Sequence, residues 1–364
     1  MTKTWPSQTA HSRALLLTSL LVAGAALEAC GGAPPPAPKD GANPPPAASQ
    51  DAPGSSASGA GAPSGVAAGA KAAPASSGSV DYDKGVLALG AGDIDGAKAA
   101  YKRMRERDPK DGAASVLLGL IDEKQGDKVG AEKAYRDAIK ARPDLEAAYV
   151  NLSALLIDEQ KNDDALAVAR AGLAKAPKSA GLHANMATIL AAQSDQAGAA
   201  SEFDQATQAA PDDPMLLMTY GHWLGVWKQN DLALTKLRAA RPLAKDPGVL
   251  AAIGEEMKAL GAFADCVPTL DQAIGMKDAP ELRTYRAVCK LGMKDQAGAK
   301  GDLEAAIAGQ YAPAHFYLAR VLADASDWKG AASEYETFLK LEPNVPASKV
   351  AREKLKQVKE HIKR

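Results

Sequence analysis

Residues 131–144 read AEKAYRDAIKARPD, and the chain writes nearly the same helix several times. AKAAYKRMRERDPKD stands at 97–111, AASEFDQATQAAPDD at 199–213 and AASEYETFLKLEPN at 331–344. In the first of these stretches Ala131, Tyr135 and Ala138 fall three to four residues apart, the spacing of one face of an amphipathic helix. A proline follows each time, and Pro109, Pro143, Pro177 and Pro211 are separated by 34 residues. A stop signal at constant spacing after a constant helix is an internal repeat.

Aligning on those prolines starts the units at residues 78, 112, 146 and 180 and brings the other positions into register. Position 20 is Ala97, Ala131, Ala165 and Ala199. Position 24 is Tyr101, Tyr135, Ala169 and Phe203. Position 8 is Gly85, Gly119, Ser153 and Ala187, all small. Small residues at 8 and 20 let two helices of a unit approach closely, and the aromatic fills the gap toward the next unit. Asp93, Asp127 and Asp195 occupy position 16, where an N-cap for the second helix is wanted.

This register resembles the tetratricopeptide repeat, a 34-residue helix–turn–helix unit. The resemblance implies an all-α solenoid of about eight units over 80–345. Units five to seven keep the register less tidily, the seventh reading as short in its first helix, and the eighth recovers with Leu318, Ala319, Asp327, Ala331, Tyr335 and Pro343. Residues 346–364 read as a C-terminal capping helix over the last apolar face, which a solenoid needs for solubility.

The segment before the repeat is of another kind. Residues 14–27, ALLLTSLLVAGAAL, follow Lys3, His11 and Arg13, the form of an export signal. At 1.5 Å per residue this run is roughly 21 Å long, short of the ~30 Å hydrocarbon core. Leu27-Glu28-Ala29-Cys30 closes it and resembles a bacterial lipobox, with Glu28 standing where that pattern has a small or apolar residue. The resemblance implies a signal peptide over 1–29, lipidation of Cys30, and a cell-envelope protein held by its lipid. With Gly31 rather than Asp after the cysteine, it implies the outer membrane, facing the periplasm. A plain secretory signal with an incidental Cys30 is the other reading. Residues 31–79 contain no Leu, Ile, Phe, Tyr or Trp. They bury too little apolar surface to offset ordering entropy, so 30–79 is expected to be a disordered tether with a reach of roughly 40 Å.

Several function classes are set aside by composition. The formal net charge is −1, which argues against nucleic acid. No CxxC, HExxH, GxSxG or phosphate-binding glycine loop occurs, so the sequence calls for no metal, no cofactor and no catalysis. His183 and His315 fall at position 4, a packing position. Cys266 and Cys289 fall toward the same edge of neighbouring helices, where an oxidising compartment would permit a disulfide; two buried free thiols are the alternative.

What remains is binding. The family resemblance implies that positions 2, 5, 6, 9, 12 and 13 of the first helices line a concave groove. There the chain offers Val150, Asn151, Ala154 and Ile157 in the third unit and Ala184, Asn185 and Thr188 in the fourth. His222, in the fifth, stands beside Trp223 and Trp227. Relatives use a position-6 asparagine to bond the backbone of an extended peptide, since a carboxamide both donates and accepts; Asn151 and Asn185 stand at that position. The expected function is a membrane-anchored adaptor for a protein or extended peptide in the envelope. A structural subunit of an envelope assembly, with the architecture of a pilotin for outer-membrane secretins, is the alternative. A regulator of an envelope enzyme is a third.

Overall fold

A computed structural model describes residues 80–363. The signal, Cys30 and the tether lie outside the described residues. Seventeen α-helices follow one another, with one 3-10 turn at Arg241–Leu243 and no strand among the described residues. They are α1 (Val80–Gly90), α2 (Ile94–Arg107), α3 (Gly112–Gln125), α4 (Lys128–Ala141), α5 (Glu146–Asp158), α6 (Asn162–Leu173), α7 (Ala180–Ala192), α8 (Gln196–Ala209) and α9 (Pro214–Val226). Next come α10 (Asn230–Ala240), α11 (Pro247–Ala259), α12 (Phe263–Met276), α13 (Pro280–Gly292), α14 (Gln296–Ala308), α15 (Pro313–Asp324), α16 (Trp328–Leu341) and α17 (Pro346–Ile362). The described chain falls into two compact units, one ending at Asp265 and the other beginning at Cys266.

The first unit is built of antiparallel helix pairs, each packed on the next. The small positions do what their size permits. Gly119 lies so close to the Tyr135 ring that an added Cβ would sit 2.3 Å from Cε1. Ala97, Ala131, Ala165 and Ala199 are fully buried. Tyr135 and Phe203 fill the position-24 site, and the Tyr135 hydroxyl bonds Glu123. In the third unit that site holds only Ala169, and the aromatic comes from the other helix. Tyr149 packs with Ala169 and Leu182, over Gly172, and its hydroxyl donates to the Pro143 carbonyl at 3.0 Å.

Every second helix from α2 to α16 except α6, α10 and α12 has an aspartate N-cap. Asp93, Asp127, Asp195, Asp295 and Asp327 each accept from the amide of the glycine three residues on, at 2.8–2.9 Å. A side chain on that glycine would collide with the carboxylate, at 2.2 Å in the case of Gly96. The turn just before the cap requires one left-handed residue. Gly92, Gly126 and Gly261 supply it freely, whereas Gln160, Ser194, Lys228, Lys294 and Ser326 hold φ of 60–66° without being glycine.

A second proline series governs the later helices. Pro214, Pro247, Pro280, Pro313 and Pro346 are 33 residues apart and each opens a first helix or the capping helix, the position where a missing N–H costs nothing. The units from the fifth onward are therefore regular, with a period one residue shorter. The seventh is not short in its first helix: α13 has 13 residues, the same as α5, α7, α9 and α11. The lost residue belongs to its second helix, α14, which has 13 where α2, α4 and α8 have 14.

The second unit contains α13–α17 and most of α12. Cys266 and Cys289 are joined in a disulfide between α12 and α13, both fully buried. Asp302 on α14 is buried and holds three cations of α13. It accepts from Arg286 at 2.5 and 2.9 Å and from Lys290 at 2.8 Å, with Arg283 at 3.9 Å. Burial pushes the Asp302 carboxyl up, but Arg286 and Lys290 pull it further down, so it titrates below the ordinary aspartate range. At the end of the chain Ala347, Ser348, Ala351 and Val358 of α17 are buried, and α17 packs on α16.

Candidate partner-binding surface

The residues expected to line a groove lie on α5, α7 and α9. Helix α5 is enclosed on all sides: residues 147–156 are buried without a break, Val150, Asn151 and Ala154 among them, and Ile157 is half-buried against the core. On α7, Ala184 is half-buried and Thr188 is buried, its hydroxyl donating to the Ala184 carbonyl at 2.9 Å.

The two asparagines differ. Asn185 donates through Nδ2 to the Val150 carbonyl at 3.0 Å and to Ser153 Oγ at 2.8 Å, and Ser153 donates to the same carbonyl at 3.0 Å. Its amide protons tie α7 to α5 and are not offered to a ligand. Asn151 Nδ2 is buried without a partner. The difference follows from the register. Ser153 precedes Asn185 by 32 residues, and the residue 32 before Asn151 is Gly119, which has no hydroxyl. A buried unmet donor costs roughly 1–3 kcal/mol.

A charged cluster lies one step further along the first unit. His222 on α9 places Nδ1 3.1 Å from both carboxylate oxygens of Glu256 on α11. Beside Glu256, Glu255 accepts from Lys258 Nζ at 3.3 Å, and the Lys258 side chain is only 6% exposed. Burial holds the Glu255 carboxyl above the ordinary glutamate range, against the opposing pull of Lys258. Trp223 lies edge-on to His222, its ring 6.3 Å from Trp227, and its indole Nε1 is buried without a partner. Val226, on the same helix, is 45% exposed. Glu256 follows His222 by 34 residues, one more than the 33-residue period of these units, so the two stand at successive rather than equivalent positions of the register.

A second histidine pattern is internal to each unit. His183 meets Glu202 at 2.6 Å and His315 meets Glu334 at 2.5 Å, each acid 19 residues after its histidine on the unit's second helix. Asp302 occupies the same position of the seventh unit. These pairs lock a helix to its own partner. Among the described residues no group of three His, Cys, Asp or Glu could hold a metal ion, and no helix is long and apolar enough to cross a membrane.

Residues 82–146 and 152–214 match the tetratricopeptide repeat family model. No curated protein matches the chain. Among solved structures it is similar to yeast Tom70, at 15% identity and a TM-score of 0.50, over 74% of this chain and 60% of that one. It is also similar to the APC/C hetero-tetramer Cut9–Hcn1, at 15% identity and a TM-score of 0.52, over 78% of this chain and 56% of that one. A third similarity is to the type IV pilus biogenesis factor PilW, at 18% identity and a TM-score of 0.45, over 56% of this chain and 96% of that one. The chain thus spans less than two thirds of the first two, and at these identities what is shared is the fold.

Proposed function

The chain carries tetratricopeptide repeats, and from that premise we propose that it is an adaptor anchored through Cys30 in the bacterial cell envelope, binding a protein or extended peptide on its first helices. The observation that carries the binding role is the part-exposed His222–Glu256 bridge, with Glu255 and Lys258 beside it. Stacking needs small and apolar residues at such positions, as Ala147, Val150 and Ala154 illustrate. Charge at a helix face that stacking does not require is a recognition feature. The two asparagines are not a ladder in this reading, because Asn185 is committed to α5.

The envelope placement draws support from the Cys266–Cys289 disulfide, since such bonds persist in oxidising compartments, and from the lipobox-like residues before Cys30. Outer-membrane sorting facing the periplasm completes the proposal.

The test is site-specific photocrosslinking in the native envelope. A photoreactive residue in place of His222 or the exposed Val226 beside it should capture a partner, and one at exposed Lys102 on α2 should not. Capture from Lys102 alone would put the partner on the outer surface and end the reading. For the anchor, Cys30→Ala should move the protein from the detergent phase to the aqueous phase. An unchanged distribution would count against lipidation.

A further inference from the structure

The last helix carries charge that its packing role does not explain. The final 19 residues hold seven basic and two acidic residues, whereas the preceding 345 hold 36 basic and 42 acidic. On α17 the buried residues are Ala347, Ser348, Ala351 and Val358. Lys349, Arg352, Lys356, Lys359 and Lys363 are all exposed, and at 100° per residue they fall within about 80° of one another. They form a line of cations along the helix, roughly 21 Å long, with the exposed Glu353 and Glu360 beside it, about 40° or less from Lys349.

The members of that line are not equal. Arg352 donates to the Pro343 carbonyl at 2.6 Å and Lys359 pairs with Glu336 at 2.7 Å. Lys349, Lys356 and Lys363 recur every seven residues and make no hydrogen bond or ion pair with the described residues. We propose that this face of α17 is a docking surface for an anionic lipid bilayer.

Three observations favour a bilayer over an acidic protein segment. The free cations are all lysines, compact and strongly hydrated charges on flexible stems, suited to a diffuse field of headgroups. The one guanidinium able to grip a carboxylate with two bonds is engaged by the backbone. The line is straight and lies on the outward side of a terminal helix, the geometry of a flat surface. The net acidity of the remaining chain leaves this helix as the end that a negative membrane attracts. The inference rests on the envelope reading only for having a bilayer within reach.

The experiment uses the full chain carrying Cys30→Ala, so that no lipid anchor contributes. It is mixed with vesicles of phosphatidylcholine alone or with added phosphatidylglycerol, and co-sedimentation is measured. The expected result is stronger binding to the phosphatidylglycerol vesicles, reversed by salt as the charges are screened. The combined variant Lys349→Glu, Lys356→Glu, Lys363→Glu should weaken that binding by more than tenfold and bring it to the neutral-vesicle level. A control with the same charge change elsewhere, Lys98→Glu, Lys110→Glu, Lys133→Glu, should bind as the parent does. Circular dichroism melts confirm that both variants fold. Equal binding to the two lipids, or equal loss in the two variants, would overturn the proposal, and so would capture of an acidic protein through α17 with no lipid response. Because Cys30 is absent throughout, none of these results bears on lipidation.

Discussion

One residue per unit turns the chain left-handed before the second helix, and its identity sets a local cost. An L-residue there costs roughly 1–2 kcal/mol that glycine avoids. Lys294 holds φ 64° ahead of the Asp295 cap and has no other role in the turn. Lys294→Gly should therefore stabilise the protein by about 1 kcal/mol, read as a higher urea midpoint at unchanged slope. A lower midpoint would mean that the lysine side chain contributes more than its backbone loses. The caps themselves were legible at Asp93, Asp127 and Asp195, because aspartate at the head of an amphipathic run has one common use. The turn residue was not, since Gln, Ser and Lys do not announce a left-handed conformation. Asn151 is the second case at this scale. Its buried donor is unmet, and Leu117 fills the equivalent place one repeat earlier. Asn151→Leu should be neutral or stabilising in thermal melts, and a marked loss of stability would show that the amide has a partner in solution. Asn185→Leu should destabilise, because it leaves the Ser153 and Val150 bonds without their donor.

Between elements, the units differ in how their helix pairs are held. The early ones use small-on-aromatic contacts, as at Gly119 and Tyr135. The α13–α14 pair uses ions, with Asp302 gripping Arg286 and Lys290. Because the folded-state pKa of Asp302 is depressed, its contribution is complete above the unfolded aspartate value, about 3.9. It is lost as pH falls through the lower folded value. Asp302→Asn should cost roughly 1.5–3 kcal/mol at neutral pH, since it removes the charged acceptor shared by part-exposed cations, of which Arg286 keeps Asp271 and Arg283 keeps Asp278. The gap in melting temperature between parent and variant should narrow below about pH 4. A gap independent of pH would mean that the carboxylate stabilises by shape alone. The ionic pair was hidden in the sequence because the position of Asp302 follows no pattern from unit to unit, being Ala100, Ala134, Val168, Glu202, Lys236 and Thr269 in the first six. The spacing of Pro214, Pro247, Pro280, Pro313 and Pro346 was on view, but the earlier series marks the ends of second helices and this one marks the starts of first helices, so the two do not align.

At the scale of the molecule, a repeat array is stabilised by neighbours only, so a local weakness stays local. The weakest helix by sequence is α12, where Pro268 lies inside the helix and removes an amide from its ladder. The Cys266–Cys289 bond joins this helix to α13 across a separation of 23 residues. Closing a loop of that size removes roughly 3 kcal/mol of unfolded-state entropy. The cysteines lie near the same edge of adjacent helices, which their places in the register foreshadowed. Whether the two thiols bond or stay free was not legible, because it depends on how closely the two helices bring them, 6.1 Å between Cα atoms. Reduction should therefore raise hydrogen exchange in α12, α13 and α14 by a factor on the order of 100, the equivalent of that stabilisation. The effect should fade with distance along the array and leave α3 to α5 unchanged, because their contacts are with one another and with the helices beside them. A loss of protection spread evenly over both units would instead mean that the array opens as a single cooperative block, with the disulfide stabilising all of it.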